Sequence, residues 1–213
     1  MQGLIIKALV GTPVFTGTPH QAVHLDSILA YAATKDLPKL KQGEVRLVEI
    51  PGLKKVWEDK SGKPLWACSM LYAVEPETGS EYAHRRYPSH RAHLAKKQSA
   101  NLSAGQYKES RRSIRTTSAM EWVAMAIGDK DIIASMLDRV SSIGSRSAVY
   151  GHVLKWSVEE SDEVTLEKIL ERRPVPAEYI GEDLACDPFA PWTPPYWYHP
   201  WFSPCRSAKD VFE

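Results

Sequence analysis

The sequence has few cysteines and no long apolar segment, and both shortages narrow the class of protein. Its three cysteines, Cys68, Cys186 and Cys205, are too few and too widely spaced for a disulfide framework or a Cys-x-x-Cys zinc pair. The apolar run at Leu4–Val10 is too short to cross a membrane and is followed by a Gly-Thr-Pro break. We therefore expect no membrane span and no signal peptide, and a cytoplasmic, reducing location.

The net charge is also close to zero, but basic and acidic residues are strongly segregated along the chain. The formal net charge is +1, and 43% of the 213 residues are hydrophobic, which is typical of one folded, elaborated domain. Between His84 and Arg115 there are nine Lys or Arg residues and a single acid, Glu109. Between Ser157 and Glu171 there are six acids and a single base. The two regions are expected to have different partners.

Signatures of common enzymes are missing as well. The sequence contains no Walker loop, no Rossmann glycine fingerprint and no Ser-His-Asp signature. His84, His90 and His93 have no cysteine or acidic ligand nearby, so we expect no metal site. We predict no cofactor and no catalytic residue. An alternative is metal-independent RNA cleavage, in which one of these three histidines or His152 would act as acid or base.

Hydrophobic periodicity predicts an α+β fold. Alternation of apolar residues indicates four strands, at Leu4–Val10, Trp66–Val74, Ala119–Ile127 and His152–Val158. Helical spacing indicates two helices, at His24–Thr34 and Ile132–Val140, the second capped by Asp129 or Asp131 and ending just before Gly144. The order strand, helix, strand, strand, helix, strand is a ferredoxin-like pattern with both helices on one sheet face. A further strand is predicted at Val45–Ile50.

Two additions modify this pattern. The predicted domain, residues 1–173, includes a basic insertion at 80–117 between two strands that would otherwise form a hairpin, and so long a structureless loop is usually functional or disordered. Residues 174–213 contain eight of the fifteen prolines together with many aromatic residues. The prolines are incompatible with a regular helix, and the aromatics predict an extension packed on the domain or on a partner.

Two segments have the composition of an RNA contact. Gly144 and Gly151 permit positive φ, so the loop between them can turn backbone N–H groups toward a phosphate, which Arg146 can pair with while Tyr150 stacks on a base. The basic insertion supplies further phosphate contacts, predicted at Arg85, Arg86, Arg91, Lys96, Lys97, Arg111, Arg112 and Arg115. The other interpretations are a helix cap followed by a turn for the loop, and a solvated loop for the insertion.

Three motifs resemble elements of CRISPR proteins. The segment RVSSIGSRSAVYGHVLKWSVE resembles the region of the RAMP proteins that carries their glycine-rich RNA-binding loop, between the second helix and the fourth strand. The early Thr-Pro-Val followed by HLDSILAYAA at His24–Ala33, and RRPVP at Arg172–Pro176, resemble the type IV CRISPR effector subunit of the Cas-five kind. The resemblance covers residues 1–35 and 115–180.

This resemblance implies a ferredoxin-like RAMP domain in a non-catalytic subunit that caps the 5′ handle of the CRISPR RNA (crRNA). Arg146, Tyr150 and His152 would hold the handle, and the basic insertion would be a thumb that becomes ordered when RNA or a neighbouring subunit binds. The implied partners are the crRNA, a backbone subunit and a large subunit, met through the acidic and Pro-rich regions. Whether target DNA near the PAM is also contacted stays open, and no membrane contact is expected.

Two alternatives to this function remain at the level of sequence. The first is an endoribonuclease that processes CRISPR precursor RNA without a metal ion, since related RAMP subunits do so. The second is a protein-interaction module with no role in nucleic-acid binding.

Overall fold

The computed structural model describes residues 1–15, 23–38, 44–85, 110–144, 149–181, 189–196 and 202–208. The first part of the chain forms β1 (Gln2–Val10), β2 (Val14–Phe15), β3 (Val23–His24), α1 (Leu25–Thr34), β4 (Lys55–Glu58), β5 (Pro64–Trp66), β6 (Met70–Ala73) and β7 (Glu77–Arg85). The second part forms β8 (Ser110–Ser118), β9 (Glu121–Gly128), α2 (Lys130–Leu137), β10 (Val153–Glu160), α3 (Leu166–Glu171), β11 (Val175–Pro176), α4 (Ala177–Ile180), β12 (Phe189–Ala190) and β13 (Ser203–Arg206). No helix within these ranges is long and apolar enough to span a membrane.

The main sheet has five strands in the order β10, β1, β9, β6, β3, and every pair in it is antiparallel. β1, β6, β9 and β10 correspond to the four predicted strands of the ferredoxin-like pattern. Across the sheet these four lie in the order fourth, first, third, second. The α+β class is therefore confirmed, and the arrangement is compatible with a ferredoxin-like fold.

Alternation along β1 buries every second side chain on the face that the two longer helices cover. Leu4, Ile6 and Ala8 are fully buried there. Leu29 of α1 and Leu137 of α2 belong to the same core, and the two helices contact each other. The prediction that both helices lie on one sheet face is confirmed.

The opposite face of the sheet is partly covered by an element that periodicity did not predict. α3 packs Ile169 against Met125 of β9, with Val164 and Ile5 completing the contact. The side chain of Thr165 caps α3 by accepting a hydrogen bond from the backbone N–H of Lys168. The acidic region of the sequence therefore consists of β10, the turn after it and this short helix.

The described parts of the Pro-rich extension pack on the domain. Val175, Trp192 and Cys205 are buried together with Leu65 of β5 in a second core. β13 pairs with both β11 and β12, so the extension forms a small sheet of its own.

Two predicted strands differ in the structure. Val45–Ile50 forms no strand, because its backbone has no ladder partner among the described residues, and the neighbouring hairpin consists of β4 and β5 instead. The predicted strand Trp66–Val74 is interrupted between β5 and β6. Here the backbone carbonyls of Trp66 and Cys68 both accept hydrogen bonds from the Arg173 guanidinium, at 2.6 and 2.9 Å, and Cys68 forms an isolated bridge with Ala126 instead of a regular ladder.

The second helix is shorter than predicted. Asp129 caps α2 as expected, by accepting from the backbone N–H groups of Asp131 and Ile132. The helix ends at Leu137, well before Gly144, so this glycine is not its terminating residue. The intervening chain is held differently, since the Trp156 indole N–H donates to the Val140 carbonyl at 2.8 Å.

Candidate nucleic-acid interface

A long antiparallel hairpin leaves the main sheet between β6 and β9. β7 and β8 pair without irregularity from Glu77 opposite Ser118 to Arg85 opposite Ser110, a length of about 30 Å at the usual strand rise. We call this hairpin, residues 77–85 and 110–118, the arm. The prediction of an insertion that stays unstructured until a partner binds was wrong for these residues, because the arm continues the pairing of β6 with β9. Residues 86–109 lie outside the described residues.

The two strands of the arm differ in how they are covered. Every residue of β7 from Glu77 to Tyr82 is exposed. β8 lies between β7 and β2, and its Ile114 and Thr116 are buried. The arm is therefore supported along β8 and open to solvent along β7.

The predicted basic residues fall into three groups. Arg115 is exposed in the middle of β8, opposite Ser80 of β7. The backbones of Arg111 and Arg112 pair with His84 and Ala83 near the far end of the arm, where Arg85 ends β7. Four of the predicted contacts lie outside the described residues, namely Arg86, Arg91, Lys96 and Lys97.

The two loop glycines have the predicted positive φ, 78° at Gly144 and 66° at Gly151. Close packing accompanies this conformation. A Cβ atom on Gly151 would lie 2.1 Å from the Ile143 carbonyl oxygen, and one on Gly144 would lie 2.6 Å from a methyl group of Val14. The glycines are thus required by the loop's own fold, and Arg146 between them lies outside the described residues.

The loop reaches the arm directly. The Tyr150 hydroxyl donates a hydrogen bond of 2.7 Å to the Glu81 carboxylate of β7, and the Tyr150 ring lies 6.3 Å from the Phe15 ring. The Gly151 N–H donates to the Pro13 carbonyl at 2.8 Å, and β2, which follows Pro13, pairs with β8. The two segments that the sequence predicts as RNA contacts are therefore neighbours in space.

Two residues that sequence reasoning missed help to form this junction. Glu81 lies just before the basic stretch and has no local feature that marks it. Thr12 accepts a hydrogen bond of 2.9 Å from the backbone N–H of His152, whose side chain is exposed. Both contacts join segments distant in the chain, so only the fold could reveal them.

A cleft of about 330 Å³ lies at the base of the arm, between the turn after β1 and the bends that lead into β7 and out of β8. Its lining residues include Glu75 and Glu77, together with Met120, which is 74% exposed. Two carboxylates make this cleft unfavourable for a phosphate. Along the arm, the residue types thus change from acidic at the base to basic toward the far end.

A buried polar cluster joins the first helix to the Pro-rich extension. Arg173 is 1% exposed, and its Nη2 lies 3.1 Å from Asp26 Oδ2 and donates to the Trp192 carbonyl at 2.6 Å. The Tyr196 hydroxyl donates to Asp26 at 2.7 Å. His24 stacks on the Tyr196 ring with 3.7 Å between the ring centroids. His24 therefore packs against the extension, and its side chain makes no capping hydrogen bond to α1.

The environment of the cluster shifts its ionisation in defined directions. Burial lowers the pKa of His24 to about 4, and this outweighs the opposite effect of the Asp26 carboxylate. Burial opposes the charge of Arg173, but the adjacent Asp26 carboxylate raises the pKa of its guanidinium above the ordinary value. His24 is therefore neutral and Arg173 charged at neutral pH.

Replacing His24 with phenylalanine is expected to flatten the pH dependence of stability. The folded-state pKa of about 4 lies below the ordinary value of 6.5, so between these values the unfolded chain binds more protons and the wild type loses stability as pH falls. Phenylalanine keeps an aromatic ring against Tyr196 but binds no proton. The free energy of unfolding, measured with urea at several pH values in this window, should depend less steeply on pH for His24→Phe than for the wild type. The difference in slope should be up to about 1.4 kcal/mol per pH unit. Equal slopes for the two proteins would contradict the assignment.

These features define the class of protein. It is an antiparallel α+β protein, compatible with a ferredoxin-like fold, and it carries a protruding arm with basic residues beside a glycine-containing loop. Residues 69–205 match the family described as CRISPR type IV associated protein Csf3, and the chain belongs to this family. The matched segment includes the arm, the loop and Arg173. Membership implies involvement in a type IV CRISPR complex, which confirms that part of the resemblance seen in the sequence. A comparison with curated proteins gave no match.

Proposed function

We propose that this chain is a non-catalytic RNA-binding subunit of a type IV CRISPR ribonucleoprotein, of the Cas-five kind within the RAMP superfamily, and that it caps the 5′ handle of the crRNA. The observation that carries the proposal is the junction of the loop and the arm through Tyr150 and Glu81. A single RNA strand lying on this junction contacts the loop and then follows the arm. Such a path combines stacking on an aromatic ring with phosphate contacts, the usual pattern for single-stranded RNA.

The proposal assigns different partners to different surfaces. The outer half of the arm, from Arg115 in the middle of β8 to Arg111 and Arg112 near the far end, takes the RNA backbone because its charge is opposite to that of phosphate. The acidic surface of β10 and α3 faces protein, since it repels RNA. In the cytoplasm, the backbone and large subunits of the complex are the proposed protein partners, and target DNA near the PAM is a proposed further contact.

The dependence of RNA affinity on salt tests this function. Labelled repeat RNA is titrated with the purified protein at salt concentrations between about 0.05 and 0.2 M, and log affinity is plotted against log salt. If about five phosphates are neutralised, the slope should be near −4. A flat slope would show that the basic residues do not bind the RNA backbone, and the proposal would fail.

The same preparation distinguishes binding from cleavage. Repeat RNA is incubated with the protein in EDTA and analysed on a denaturing gel. The proposed subunit leaves the RNA intact. Site-specific cleavage that disappears on changing a histidine such as His152 to alanine would instead establish a metal-independent endoribonuclease.

A further inference from the structure

We infer that Glu81 is a positioning residue, which holds the arm against the Gly144–Gly151 loop through Tyr150 so that both contact one RNA strand. The inference rests on the proposed function and adds a specific role for an acidic residue inside an otherwise basic interface. In this role Glu81 sets the orientation of the arm relative to the loop, and its effect on RNA binding does not come from its own charge.

The positions of the contacts along the arm support this role. β2 supports the base of the arm, where Val14 and Phe15 pair with Thr117 and Thr116 of β8. Thr117 pairs across the arm with Thr78, and Glu81 is three residues farther along β7, or about 10 Å. A contact at that distance from the base resists rotation of the arm far better than a contact at the base itself. The Tyr150 hydrogen bond is such a second point of attachment.

The chemistry of the contact supports it as well. A carboxylate close to bound RNA repels phosphate, so Glu81 weakens binding unless it has another effect. Its carboxylate accepts a short hydrogen bond of 2.7 Å from the Tyr150 hydroxyl. The Tyr150 ring is also near Phe15, so the tyrosine is held by β2 on one side and by β7 on the other. The pair therefore connects the loop, the β2 support and the outer strand of the arm.

Glu77 provides a matched comparison on the same strand. Both glutamates are exposed residues of β7, four positions apart. The side chain of Glu77 makes no hydrogen bond or ion pair with any part of the chain that the structure describes, although its backbone pairs with Ser118. Removal of either carboxylate has the same effect on net charge, so a difference between the two variants reports on the hydrogen bond.

The experiment compares RNA affinity for Glu81→Ala, Glu81→Gln, Tyr150→Phe and Glu77→Ala, with thermal unfolding as a check on folding. We expect Glu81→Ala to weaken RNA binding about fivefold to tenfold, as expected for the loss of one hydrogen bond of ordinary strength, although it removes a negative charge. Glu81→Gln should bind like the wild type or more tightly, because the amide oxygen still accepts from Tyr150. Glu77→Ala should bind at least as tightly as the wild type. Tyr150→Phe keeps the ring but also keeps the Glu81 charge, so it should bind RNA no more tightly than Glu81→Ala.

The double variant adds a test of mechanism. If the two side chains act through one hydrogen bond, Glu81→Ala combined with Tyr150→Phe should be no weaker than either single variant. If Glu81→Ala binds RNA as well as or better than the wild type, as Glu77→Ala should, the positioning role is overturned while the proposed function stands. If the wild type itself shows no salt-dependent RNA binding, the proposed function fails first, and the positioning role fails with it.

Discussion

Replacing Arg173 with methionine is expected to lower the free energy of unfolding by about 3–5 kcal/mol, the usual cost of removing one partner from a buried ion pair. Methionine fills a similar volume but leaves the Asp26 carboxylate buried without its cation. It also removes the donors to the carbonyls of Trp66, Cys68 and Trp192. Since folded domains are stable by only about 5–15 kcal/mol, this one change should come close to unfolding the protein.

Arg172 is the natural control for this measurement. It precedes Arg173, is only half-buried, and places its guanidinium 4.7 Å from the centre of the Tyr72 ring. Arg172→Met should cost only about 0.5–1 kcal/mol in urea unfolding. Combining Arg173→Met with Asp26→Asn should recover part of the loss, because no unpaired charge then stays buried. Equal losses for the two arginines would show that burial of the ion pair is unimportant.

Reversing the charge at Arg111, Arg112 and Arg115 together is expected to weaken RNA binding about a hundredfold. The estimate takes about 1 kcal/mol for each lost phosphate contact, which is a low value for hydrogen bonds to charged groups. Three such contacts amount to about two factors of ten in affinity. The slope of log affinity against log salt should also become shallower by about 2, since three fewer phosphates are neutralised.

The control for the arm variant is a protein in which the charge of three lysines elsewhere is reversed. Lys35, Lys54 and Lys60 are exposed and belong neither to the arm nor to the loop. Changing all three to glutamate alters the net charge by the same amount, so any general effect of charge on RNA affinity appears in both proteins. A similar loss in the two triple variants would mean that RNA recognises only the overall charge. An unchanged affinity in the arm variant would favour the protein-interaction module.

Sequence patterns predicted the parts of the fold that depend on local repetition. The strands around Leu4–Val10 and the helix after His24 show a clear period, and both are present. β2 and β3 have two residues each, which is too short for any period to be visible. The sequence predicts an unstructured insertion in place of the arm, because apolar and polar residues do not alternate there. The two strands of the arm form by pairing with each other, which no local pattern shows.

The same distinction applies to the candidate interface, whose local features are predictable from the sequence and whose long-range contacts are not. Composition alone identified the basic stretch and the loop glycines, because charge and glycine content are local properties. The hydrogen bond between Tyr150 and Glu81 joins residues 69 positions apart, and no local pattern marks such a pair. The ion pair of Arg173 with Asp26 spans 147 positions. In the sequence, Glu81, Asp26 and Arg173 resemble ordinary charged surface residues, and only the fold shows which partners they have.

The polar cluster around Arg173 also has a consequence for synthesis of the chain on the ribosome. Asp26 belongs to α1, yet its partners Arg173 and Tyr196 are synthesised 147 and 170 residues later. Until then the carboxylate must stay in contact with water, and the helix cannot settle fully against the sheet. α1 is therefore synthesised well before it can reach its final place, and nascent chains that end before Arg173 remain open at this corner.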